Sequence, residues 1–173
     1  MFNIGDMIIY SAHGICYIDD ICARQFHGEE KKFYVLHPLD NEKLTISIPV
    51  DSTSVRMLEL LHKDQAEEIL DSFRVPGKSW NEITNERAQI FAETVKSGNR
   101  KEISKVVNTL MRKKLSCESS GKKLNDTDKQ LLNHVQGVLF MELAIALGTT
   151  YESISDRVVS LISPDGLDVE CTE

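Results

Sequence analysis

Lys43-Leu44-Thr45-Ile46-Ser47-Ile48-Pro49-Val50-Asp51-Ser52-Thr53-Ser54-Val55-Arg56-Met57-Leu58-Glu59-Leu60-Leu61 is where the chain changes its period. Up to Pro49 apolar and polar side chains alternate, the two-residue repeat of a strand with one buried face. Pro49 lacks a backbone N–H and blunts the sheet edge there. After the polar break at 51–54, Met57, Leu60, Leu61, Ile69 and Leu70 recur at helical offsets, which predicts a first helical stretch. The expected fold class is therefore α+β, with a β half followed by an α half.

Upstream of this point the strand signals continue. Strands are expected over 7–10, 15–18, 21–26 and 32–36. Gly14, His27-Gly28-Glu29 and Pro38-Leu39-Asp40-Asn41 punctuate them as turns. Four or five short strands at such spacing predict a small, strongly bent sheet or barrel of Tudor or SH3-like kind. A sheet this small leaves open edges, and an open edge accepts a strand from a partner.

Downstream, Val75-Pro76-Gly77-Lys78-Ser79-Trp80-Asn81-Glu82 holds the only tryptophan. Ser79 and Glu82 have the spacing of a capping box, which predicts Ser79 as N-cap and Trp80 as the first residue of a helix running to about residue 96. Two readings of Trp80 stay open: a staple closing the helix end, or a flat ring free to wedge into an unstacked base step. Arg87, seven positions on, is expected on the same face. Asn99 with Glu102 predicts a second cap. Behind it Ile103, Val106, Val107, Leu110, Met111 and Leu115 form an amphipathic stripe, with Lys101, Lys105, Arg112 and Lys113 on the outer face. A loop is expected over 117–121, a central buried helix over 126–147 stopped by Gly148, and a last short helix over 151–162. About five helices thus follow the sheet. The expected domains are 1–52, a β-rich unit; 53–163, a helical unit; and 164–173, an acidic tail.

Charge sharpens the picture. The net charge of -7 argues against a general nucleic-acid binder. It is unevenly spread: residues 96–130 carry ten Lys/Arg against four acids, and 131–173 carry one against seven. A basic central block between acidic flanks suggests one phosphate-tolerant face. The start lacks the basic and apolar regions of a signal peptide, and the apolar run 138–147 is too short to span a bilayer, so a cytoplasmic protein without membrane attachment is expected. The four cysteines have no framework spacing and are expected reduced. His13, Cys16, Cys22, His27 and His37 do not match the spacing of a zinc site, and Cys16 reads as a small core residue. There is no G-x-x-x-x-G-K-[ST], G-x-G-x-x-G or G-x-S-x-G. No catalytic residue, metal or cofactor is expected; an enzyme or metal protein built on Cys16 and His13 is the outlying alternative.

Several stretches resemble the CarD/CdnL family of bacterial transcription regulators. They are the opening from Phe2 to Gly14, the hairpin from Gly28 to Leu36, the strand from Leu44 to Pro49, Lys78-Ser79-Trp80, Ser97-Gly98, and Val106-Val107-Asn108-Thr109-Leu110. In order they cover about residues 1–147. The N-terminal half is also similar to the polymerase-interacting domain of the transcription-repair coupling factor.

The resemblance implies partners and roles. The β unit would dock on the RNA polymerase β subunit through Arg24, Thr45, Ile46, Ser47 and Pro49, with the last strand lying along a strand of the polymerase. The helical unit would meet promoter DNA at the upstream edge of the bubble through Trp80, Lys78, Asn85 and Arg87. Trp80 would wedge into the minor groove without sequence readout and slow bubble collapse. The sequence departs from the family where an arginine of the last strand aligns with Ser47, and where two often-basic positions fall on Glu82 and Asn85. A monomer in solution is expected. The alternative of a different class is a protein-interaction adaptor with no DNA role, which burial of the indole edge would favour.

Overall fold

The computed structural model describes residues 1–10, 13–53 and 56–163. The acidic tail expected over 164–173, and positions 54–55 of the expected domain junction, lie outside them. The chain divides into two compact units, Met1–Leu60 and Leu61–Glu173.

The first unit is one antiparallel sheet of β1 (Met7–Tyr10), β2 (Gly14–Phe26), β3 (Glu29–Pro38), β4 (Ile46–Pro49) and β5 (Met57–Glu59). The spatial order is β4-β3-β2-β1-β5. The sheet is open: β4 and β5 are its two edges, and among the described residues no pairing closes it into a barrel. The two strands expected over 15–18 and 21–26 are one long strand, β2, with a register shift between Ile18 and Asp20. His27 (φ 53°) and Gly28 (φ 85°) turn β2 into β3, and Phe26 faces Glu29 across the turn. Two consecutive positive φ values are the geometry of a two-residue hairpin turn whose twist matches its strands.

Strand alternation places the core. Ile8, Cys16, Ile18, Tyr34, Leu36 and Ile48 are buried together, with Phe2, Ile46 and Met57 packed on them. Cys16 points inward as expected, and burial pushes its thiol up to about 11, with the Asp40 charge adding to the effect. Met57 is a correction. The stretch 57–59 is not helical but pairs antiparallel with β1, Ile9 opposite Leu58. An apolar triplet is ambiguous between the two periods, and the open edge of β1 decides for the strand.

The second unit holds α1 (Lys63–Asp71), a short 3₁₀ turn (Ser72–Arg74), α2 (Thr84–Lys96), α3 (Arg100–Ser119), α4 (Asp126–Leu147) and α5 (Tyr151–Ile162). Helix α3 runs past 117, where the sequence suggested a loop. Side chains cap three starts: Asn99 accepts from Glu102 N at 3.2 Å, Asn125 from Asp128 N at 2.9 Å, and Thr150 from Ser153 N at 3.2 Å. Each satisfies one otherwise orphaned N–H. Gly148, at φ 62°, ends α4; the left-handed conformation is the common helix stop.

Helix α4 packs on the other four helices of its unit. Its 22 residues are long and apolar enough to cross a membrane. Yet Leu132, Val135, Leu139, Phe140, Leu143 and Ala144 are buried against Phe73, Phe91, Leu110, Ile154 and Val158, so α4 is the core helix of its unit. It also carries a buried carboxylate, Glu142, which accepts from Leu61 N at 2.9 Å and Arg100 Nη2 at 3.1 Å. Burial pushes the Glu142 carboxyl up, against the pull of Arg100 and the Leu61 N–H. Removing one partner of a buried pair strands the other charge, at about 3–5 kcal/mol. Glu142→Ala is therefore expected to lower the unfolding free energy by about that amount, read as a urea midpoint shift by far-UV circular dichroism.

Candidate functional site

Two surfaces collect the residues singled out by sequence, one in each unit. In the first, β4 is an edge strand whose outward row is Ser47 and Pro49. Ser47 stands opposite Val35, and Pro49 opposite Phe33. Arg24, exposed on β2, reaches across: its Nη1 donates to Ser47 Oγ at 3.3 Å, and its guanidinium lies 6.0 Å from the Phe33 ring. Arg24 and Ser47 are thus brought together, although β3 separates their strands. Thr45 is exposed just before β4. Ile46 differs: its side chain packs on the core, so only its backbone belongs to the edge.

The second surface is built around Trp80. The expected capping box does not form. Helix α2 starts at Thr84 with Ile83 as N-cap, and Ser79 is exposed in the preceding loop. Asn81 does the local work instead: its Oδ1 accepts from Ile83 N at 2.8 Å, and its Nδ2 donates to Glu86 at 3.0 Å. Trp80 therefore lies in a loop that folds back over the helices. Gly77 makes the approach possible, since a Cβ there would sit 2.2 Å from Lys105 O and 2.7 Å from Thr109 Oγ1. Thr109 Oγ1 then donates to Lys78 O at 2.7 Å and fastens the loop to α3.

The Trp80 ring meets two cations. Arg87 Cζ lies 4.0 Å from the ring centroid and Lys113 Nζ lies 4.8 Å from it. The ring is partly buried on the helical core. Its Nε1 is the one buried side-chain polar atom without a hydrogen-bond partner among the described residues. A cation on an aromatic face contributes about 0.5–2 kcal/mol, and an unpaired buried donor costs about 1–3 kcal/mol. The polar terms nearly cancel, so apolar packing holds the ring where it is.

The charges expected to face phosphate are mostly engaged within the protein. Arg87 is 2% exposed. Its Nε donates to Asp128 Oδ1 at 3.1 Å, its Nη2 to Asp128 Oδ2 and Thr84 Oγ1, and its Nη1 to Asn81 O. Its guanidinium is a platform under Trp80, not a surface charge. Lys78 pairs with Glu102 at 2.9 Å, as does Lys105 at 2.7 Å. Lys101 pairs with Glu68 at 2.8 Å. Arg112, expected on the outer face of α3, instead donates to Asn108 Oδ1 at 2.7 Å and Phe73 O at 2.8 Å, and burial pushes its pKa down. Asn85 and Glu82 are exposed at the start of α2.

Sequence reading paired Trp80 with Arg87 from helical spacing; they do meet, but through a folded-back loop. It missed Asp128, Asn81, Gly77 and Thr109. The one local signal was Pro76-Gly77, a turn whose glycine has a second use in close approach. Asp128 lies 41 residues from Arg87, and no local pattern joins them.

The Lys105 and Lys78 hydrogen bonds hold the Glu102 carboxyl down at about 2. A lowered folded value adds stability above the ordinary carboxylate value, and that stability is lost as pH falls toward 2. Between pH 5 and pH 2 the wild type is expected to lose more melting temperature than Glu102→Gln, tested by paired thermal melts. For the loop, Gly77→Ala is expected to cost about 1–3 kcal/mol from the forced shift. Because Trp80 is the only tryptophan, its emission should move to the red in the same variant.

Comparison with known proteins bears on both surfaces. Residues 2–60 match the family model of the CarD-like/TRCF RID domain, and residues 68–159 match that of the CarD C-terminal domain. The chain is also similar to YdeB of Bacillus subtilis (strain 168), named as a candidate transcription factor. The two are 30% identical over 161 residues, which is 89% of this chain and 97% of that protein. Both units are matched, in order, by the two family domains: the chain belongs to the CarD-like family of transcription regulators.

Proposed function

We propose that this chain docks on the β subunit of RNA polymerase through its sheet and stabilises the promoter open complex through its helical unit. What carries the reading is that one chain holds both family domains in order. On the sheet, β4 offers backbone groups at an open edge, with Arg24 beside it to meet an acidic partner. Backbone pairing supplies affinity and the flanking side chains supply choice of partner. With Ser47 in place of a basic residue, Arg24 is the charge that reaches this edge, through its hydrogen bond to Ser47, while Lys31 stands directly opposite it on β3.

On the helical unit, Trp80 is the group proposed to meet DNA at the upstream edge of the bubble. A ring that binds an already unstacked junction favours the open state over the closed one, and only such differential affinity shifts the equilibrium. Stacking by one ring is worth about 1–3 kcal/mol, or roughly ten- to a hundredfold in open-complex population. Contact is without base readout. With a net charge of -7, affinity for free DNA is low. The DNA step follows polymerase docking and draws on the effective concentration that docking creates.

A second reading is favoured by one observation: the Trp80 Nε1 edge is buried, and Arg87 and Lys78 are paired with acids. In it the protein is an adaptor on polymerase and Trp80 is structural. One experiment separates the two. Polymerase binding and open-complex lifetime are measured for wild type, Arg24→Glu and Trp80→Ala. The first reading expects Arg24→Glu to weaken polymerase binding by about tenfold or more. It expects Trp80→Ala to bind normally and shorten the lifetime by about tenfold or more. Equal lifetimes for wild type and Trp80→Ala would move the adaptor reading to the front.

A further inference from the structure

We infer that Arg87, fixed by Asp128, is a positioning residue for Trp80. The pair sets the pose of the indole, and through it the DNA step, so the functional consequence rests on the wedge reading above. Every nitrogen of the Arg87 side chain is committed: Nε and Nη2 to the two Asp128 oxygens, Nη2 also to Thr84 Oγ1, and Nη1 to Asn81 O. Asp128 is held in turn at the start of α4, where Asn125 Oδ1 accepts from its N–H and Asn125 Nδ2 donates to its carboxylate. The guanidinium plane therefore has no freedom to turn.

That plane is what Trp80 rests on, with Cζ 4.0 Å from the ring centroid. Arg87 Nη1 also grips Asn81 O, the carbonyl of the residue next to Trp80. One side chain thus fixes both the ring face and the adjoining backbone. The indole has no hydrogen bond of its own to orient it, since Nε1 is buried and unpaired. Apolar packing holds this half-buried ring against the core but does not by itself fix the orientation of its plane. The fork and plane of an arginine, unlike a lysine, supply the missing constraint.

The test uses the full chain and its single tryptophan as reporter. Arg87→Met, Arg87→Lys and Asp128→Asn are compared with wild type below their melting temperatures, with folding checked by circular dichroism. Glu142→Gln is the control. It softens the other buried ion pair, about 21 Å along α4 from Asp128. A merely structural role for Arg87 predicts no more change in Trp80 than the control gives. Positioning predicts a red-shifted emission and an acrylamide quenching constant raised about twofold or more in Arg87→Met and Asp128→Asn. It predicts a smaller rise in Arg87→Lys, which keeps the charge but loses the fork, and none in Glu142→Gln. It also predicts polymerase affinity within about twofold of wild type, with open-complex lifetime shortened toward that of Trp80→Ala.

Unchanged emission and quenching in folded Arg87→Lys and Asp128→Asn overturn the inference, as does an equal change in Glu142→Gln. A fluorescence change alongside equal lifetimes for wild type and Trp80→Ala supports positioning and removes the wedge reading, so the two failures are distinguishable.

Discussion

Asp128 and Glu142 sit on α4, near its start and toward its end, each 1% exposed and each paired with an arginine from an earlier helix. Arg87 comes from α2 and Arg100 from the first residue of α3. Taking charges out of water is expensive, and apolar residues of the same volume would often serve stability as well or better. What such pairs add is register. Leu, Val and Phe cores tolerate sliding and repacking, whereas a bidentate pair forms at one rotation and one height. The two pairs fix where α2 and α3 stand against α4. The loop between α1 and α2, with Trp80 in it, inherits that placement.

This constraint explains which parts of the molecule were legible in the sequence. Period and punctuation locate most elements: α4 and α5 begin and end where the apolar spacing, Gly148 and the run 151–162 place them, and the Asn99 cap forms as its spacing with Glu102 suggests. These are local effects, decided by side chains within a few residues of each other. Met57–Glu59 was misread because its partner, β1, lies some fifty positions away, and a triplet has no period of its own. Ser79 was misread as a cap for a related reason. Its spacing to Glu82 is right, but Asn81 competes for the same turn, and Arg87 holds Asn81 O. Where a long-range pair sets the backbone, local capping preference loses.

The candidate site was legible as residue types and not as roles. Trp80 stands out by being alone of its kind, whereas Arg24 and Ser47 are marked only by the family resemblance. The basic residues near Trp80 read as a phosphate-facing set, yet the fold spends most of them internally: Arg87 on Asp128, Lys78 and Lys105 on Glu102, and Arg112 on backbone carbonyls and Asn108. A formal charge count treats a paired and an unpaired lysine alike. Within 96–130 the cations tied to groups beyond the span are Arg100 on Glu142, Lys101 on Glu68 and Arg112 on Phe73 O, so the excess of ten cations over four acids is not all available at the surface. This bears on affinity, because only phosphates neutralised by available cations release counterions.

Two consequences meet at the tryptophan. With few uncommitted cations around it and an acidic chain behind it, Trp80 has little electrostatic help toward DNA. Any contact must come from the ring itself, at the modest worth of one stacking partner. Such a contact matters only if the ring is held ready, because ordering a loop at the moment of binding would cost as much as one ring returns. Gly77 pressed on α3, Thr109 bound to Lys78 O and the fixed guanidinium of Arg87 meet that requirement in advance. A weak contact, ordered beforehand and delivered by a separate docking unit, is a physically consistent way for an acidic protein to act on DNA.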